Sequence, residues 1–119
     1  MSDITIPAKD GGQFQAYVAM PATLPAPTVI VIQEIFGVNE GIRGKCDWLA
    51  SEGFIAVAPD LFWRIEPNVQ LTDKTDAEWE KAFDLMNLFN VDQGIEDLKA
   101  VKHTFTGHAD STGKIGTMG

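Results

Sequence analysis

The 119-residue chain is acidic, with a formal net charge of −8, and 45% of its residues are hydrophobic. That length gives one domain at most, and seven Phe with three Trp supply large apolar groups for a core. An acidic chain without a basic run is a poor partner for nucleic acid, and no apolar run approaches the ~20 residues of a membrane span.

The N-terminal MSDITIPAKD has neither the basic nor the apolar region of a signal peptide. A single cysteine excludes an internal disulfide and fits a reducing compartment, so the cytoplasm is the expected location. DITI and QFQAYVAM, parted by the turn cluster PAKDGG, predict a hairpin, and the prolines of PATLPAP then break regular structure. TVIVI (28–32) is a continuous apolar run, the pattern of a strand covered on both faces in a parallel sheet. The run gives way abruptly to Glu34. A carboxylate at the end of a buried strand is costly unless it is paired or used.

The spacing of Ile42, Cys46 and Leu49 predicts a helix over 40–51, with Asn39 as its N-cap and Gly53 as its stop. FIAVAPD is the next strand, stopped at Pro59, which completes a strand–helix–strand unit. LFWRIEPNVQLTDK is long and irregular, and loops of that length usually carry function or act as lids. Thr75 and Glu78 have capping-box spacing at the head of a helix whose Trp79, Phe83 and Met86 share a face. A further helix starts after Asn90 and carries Ile95, Leu98, Val101 and Phe105. GHADSTG reads as a loop and KIGTMG as the start of a strand. A parallel strand normally leads into a helix that covers one sheet face, so the chain reads as the N-terminal part of something longer.

QEIFGVNEGIR, LASEGFIAVAPDLFWR and GKIGTMG, in that order, resemble the dienelactone hydrolase family of α/β-hydrolases. The resemblance spans nearly the whole chain. It implies an α/β fold: the N-terminal part of an α/β-hydrolase, with a mostly parallel sheet, an N-terminal antiparallel hairpin and flanking helices. Residues 1–119 would be the N-terminal portion of a single domain, ending at the start of the nucleophile elbow. In that family a strand like KIGTMG runs into a G-x-C-x-G turn. Gly119 resembles its first glycine, and the nucleophile, acid and histidine are expected further on, in that order. The implied activity is hydrolysis of a small-molecule carboxylic ester or lactone by a cysteine, with no cofactor and no metal. The C-terminal part of the same fold is the expected partner, with neither nucleic acid nor membrane.

The resemblance assigns roles residue by residue. Glu34 matches a carboxylate that helps activate the nucleophilic thiol, and Ile35 supplies a backbone N–H to the oxyanion. Arg64 matches an arginine that binds a substrate carboxylate, suited to it by a planar fork. By their position alone, Phe36 and Trp63 flank the same edge and are candidates to line the pocket. Plainer alternatives stand beside these: a Glu34 held by backbone N–H groups or an arginine, a surface Arg64, and core packing for Phe36 and Trp63.

Other residues invite readings that do not hold. Cys46 falls on the apolar face of its helix, where a cysteine is usually a small hydrophobe. His103 and His108 precede the expected nucleophile, and one Cys with two scattered His gives little support for a metal site. GHADSTGK lacks the spacing of a phosphate loop. Asp60 reads as structural. Against the hydrolase stands one alternative, a non-catalytic fragment or interaction module that binds a partner through the same half-fold.

Overall fold

The structure, a computed structural model, describes residues 2–119. Strands β1 (Ser2–Pro7) and β2 (Gln13–Ala19) form the expected hairpin, followed by β3 (Ala26–Val31), helix α1 (Glu40–Ser51) and β4 (Ile55–Pro59). Helices α2 (Asp76–Leu88) and α3 (Val91–Thr106) come next, and β5 (Ser111–Met118) closes the chain. β5 thus takes in Ser111–Gly113, which the sequence assigns to a loop.

The strands make one sheet in the order β1-β2-β4-β3-β5. β3 runs parallel to both β4 and β5. β2, however, pairs antiparallel with β4 as well as with β1. The sheet is therefore mixed, with the expected parallel strands β4, β3 and β5 and the expected antiparallel hairpin, which docks directly on β4. Pro27 lies in β3 where the register with β5 shifts, as a residue without an N–H requires.

All five residues of β4 are buried, and they alternate between two cores. Ile55 and Val57 join Ile30, Val101 and Phe105 beneath α3, while Ala56 and Ala58 meet Ile42, Cys46 and Leu49 of α1 on the other face. Burying each Val or Ile there contributes roughly 1.5–3 kcal/mol. The small alanines let α1 approach closely.

Helix α2 sits differently. Its buried residues are Ala82 and Leu85, and Leu85 packs with Phe62 and Val69 of the loop after β4. The Trp79, Phe83 and Met86 stripe points outward, each residue 38–44% exposed. The shared face foreseen in the sequence is real, but it is not the core-facing one. Among the described residues no helix is long and apolar enough to cross a membrane.

Candidate active site

The ends of β3 and β5 lie side by side. Val31 is in register with Met118, and the Ile32 N–H donates to the Met118 carbonyl at 2.7 Å. A Cβ built on Gly119 would stand 3.9 Å from that of Ile32. The chain leaving β5 therefore emerges beside the segment that follows β3, at the carboxyl edge where open α/β sheets bind ligands.

That segment is a tight turn. The Gly37 N–H donates to the Glu34 carbonyl at 3.2 Å, and Gly37 takes a φ of +82°. A side chain there would run into the Val69 carbonyl, so only glycine lets the loop after β4 cross so closely. The two loops are laced together: the Leu71 N–H donates to the Phe36 carbonyl at 2.9 Å, and Asn39 Nδ2 to the Leu71 carbonyl at 2.8 Å. Asn39 also caps α1, its Oδ1 accepting the Ile42 N–H. Gln33 makes a further tie, accepting the Leu61 N–H at 2.8 Å through Oε1.

Glu34 is exposed rather than buried. β3 ends at Val31, so the carboxylate lies out in the turn and the expected burial cost does not arise. Its side chain borders two hollows. One is an open groove of about 700 Å³ with Phe36, Lys45, Leu71 and Lys74 on its walls. The other, about 190 Å³, is lined by Ile35, Leu61, Phe62, Met86 and Phe89. The Ile35 N–H has no hydrogen-bond acceptor among the described residues. Phe36 meets the outward stripe of α2, its ring edge-on to Trp79 at 5.0 Å, and Trp79 lies 5.7 Å from Phe83.

Trp63 and Arg64 are placed elsewhere. Trp63 stacks on Phe14 at 5.7 Å at the rim of the core under α3 and donates from Nε1 to Asp97 at 2.9 Å. Arg64 binds two carboxylates. Nη1 and Nη2 grip Asp10 at 2.8 Å each, while Nη2 and Nε reach Asp97 at 2.9 and 3.3 Å. Its plane also lies over the Trp63 ring at 4.4 Å. A substrate carboxylate would have to displace Asp10 or Asp97, so the clamp expected of Arg64 is already filled from within the chain. The guanidinium beside Asp10 holds that carboxyl below its usual range. Asp97 is 1% exposed, and Arg64 is its counter-ion.

Asp60 is structural, as read from the sequence: it accepts the N–H groups of Phe62 and Asn68, and burial outweighs them in raising its pKa. Burial also pushes the Cys46 thiol up to about 12, which disfavours the nucleophilic thiolate at neutral pH. Two residues escaped the sequence reading, Gln33 and Asp97, as did the outward direction of the α2 stripe. Asp97 was detectable in principle, since it sits four residues before Val101 on the buried face of α3.

Known proteins bear on this arrangement. Residues 14–119 match the sequence pattern of the dienelactone hydrolase family. A candidate carboxymethylenebutenolidase of Azospirillum brasilense is 60% identical over 94 residues, 78% of this chain and 41% of that protein. The carboxymethylenebutenolidase of Pseudomonas putida is 38% identical over 116 residues, 98% of this chain and 49% of that one. The crystal structure of a candidate dienelactone hydrolase from Klebsiella pneumoniae subsp. pneumoniae superposes with a TM-score of 0.78 at 32% identity, over 98% of this chain and 47% of that one. The chain thus spans about half the length of the curated relatives it matches. The match takes in both strand-end loops and the β3–β5 edge between them, and on these grounds the chain belongs to the dienelactone hydrolase family.

Proposed function

We propose that this chain forms the N-terminal part of a lactone or carboxylic-ester hydrolase whose nucleophile is a cysteine just beyond Gly119. One observation carries the reading: β3 and β5 end side by side, so a chain continuing past Gly119 would start beside the segment that carries Glu34 and Ile35. In this reading Glu34 accepts the proton of the thiol, and the thiolate attacks the lactone carbonyl carbon. The developing oxyanion takes a hydrogen bond from the free Ile35 N–H and from a second backbone N–H after the nucleophile. The ring C–O bond breaks, the alkoxide takes up a proton, and water cleaves the thioester to release a hydroxy acid and the thiol.

The apolar hollow beside Ile35, with Met86 on its wall, and the Phe36–Trp79 pair suit the uncharged part of a small substrate. Arg64 is assigned to holding its loop and not to substrate.

The experiment compares the 119-residue chain with a polypeptide of the relatives' length that carries it, on a lactone and on an activated aryl ester. The short chain is expected to show background rates. In the long one, Glu34→Gln is expected to lower turnover by roughly tenfold or more while leaving the denaturation midpoint in place. Turnover by the short chain that vanishes in Cys46→Ala would overturn the reading.

A further inference from the structure

Gln33 bridges the two loops in a way that bears on one peptide plane. Its Oε1 accepts the Leu61 N–H at 2.8 Å, which fixes which way round the amide lies. Nε2 is thereby turned to the Glu34 carbonyl and donates to it at 3.1 Å. The Gly37 N–H donates to the same oxygen at 3.2 Å. The Glu34 carbonyl and the Ile35 N–H belong to one trans peptide unit. Such a unit is planar, and its C=O and N–H point in opposite directions. Two donors that hold the oxygen therefore also hold the direction of the N–H.

We infer that Gln33 is a positioning residue for the oxyanion donor: by gripping the Glu34 carbonyl and the Leu61 N–H together, it aims the Ile35 N–H and ties that aim to the loop after β4. The inference rests on the hydrolase reading above. It adds that the donor is held ready before substrate arrives. A dipole aimed in advance needs no reorganisation as charge develops, which is where such donors are most effective. The bridge is also graded. The Gly37 contact is backbone to backbone and survives any change at position 33, so losing Gln33 loosens the plane without freeing it.

Two substitutions separate the halves of the amide. Gln33→Met has similar length and keeps neither contact. Gln33→Glu keeps an acceptor for Leu61 but has no donor for Glu34 at neutral pH. Both are made in the polypeptide of the relatives' length that carries this chain, with ¹⁵N-labelled protein and steady-state kinetics on one lactone. The expected result has three parts. The Ile35 amide shifts and gains motion in both variants. The Leu61 amide exchanges faster in Gln33→Met alone. kcat falls roughly ten- to a hundredfold in both, with KM nearly unchanged, as when an interaction made only in the transition state is weakened. The remaining amide resonances report in the same spectra that both variants are folded. An Ile35 amide that keeps its wild-type shift and relaxation in both would overturn the positioning role. A mobile Ile35 amide with unaltered kcat would instead overturn the assignment of Ile35 as oxyanion donor, and with it the reading on which this inference rests.

Discussion

Cys46 shows how burial silences a reactive group. The side chain is 0% exposed among Ile42, Leu49 and the β4 alanines, and desolvation raises its thiol from an ordinary 9.0 to about 12. An unfolded thiol ionises near its ordinary value, so the folded state holds the proton longer. The stability this gives is complete below pH 9 and is lost as pH rises toward 12. The urea midpoint is expected to fall across that window by less in Cys46→Ala than in the wild type, and a disulfide reagent at pH 8 should label Cys46 only after unfolding. Arg64 acts through pairing instead. Arg64→Ala strands the buried Asp97, and breaking such a pair costs about 2–3 kcal/mol once the partial exposure of the arginine is allowed for. In the longer polypeptide the same variant should leave the ratio of rates on anionic and neutral esters unchanged. A selective loss on anionic esters would restore Arg64 to substrate binding.

Among the elements, the loop after β4 matters most to the site, and it depends on two glycines. Gly37 lets the Val69 carbonyl pass, and Gly94 lets the Phe89 ring lie against α3, where it also meets Phe62 edge-on at 5.8 Å. Gly37→Ala combines a positive φ with a clash against backbone that cannot rotate away. It is expected to cost about 2 kcal/mol or more and to speed amide exchange at Leu71, whose N–H reports the lacing of the two loops. Unchanged exchange at Leu71 would show that the lacing does not depend on this glycine. The elements themselves were largely legible. α1 begins and ends where its apolar spacing and Asn39 cap place it, and Thr75 caps α2 as foreseen. These are local signals. The carboxylate of Glu78 accepts the hydroxyl of Thr75 rather than its backbone N–H, and also accepts the N–H and hydroxyl of Thr72. What could not be read depends on distant partners. Asp10 and Asp97, which fill the Arg64 fork, lie 54 and 33 residues from it, and no local period announces that. Likewise the spacing of α2 fits two faces, and only the fold decides that Ala82 and Leu85 turn inward while Trp79 turns out.

At the scale of the molecule, the sheet brings together loops that are far apart in sequence. Parallel β4, β3 and β5 all end at one edge, and that edge gathers Gln33 to Gly37, the loop from Leu61 to Leu71 and Gly119. The antiparallel ladder from β2 to β4 was hidden because it joins strands across the sequence. β5 forms one border of the sheet, and both its faces are largely exposed. The most direct measurement of the central claim is covalent. A polypeptide of the relatives' length carrying this chain is mixed with a slowly deacylating ester, quenched in acid, digested and weighed. The acyl mass is predicted on a peptide whose cysteine follows Gly119, with Glu34→Gln forming the adduct more slowly. An acyl group on the Cys46 peptide, or turnover with no adduct on any cysteine, would contradict the account.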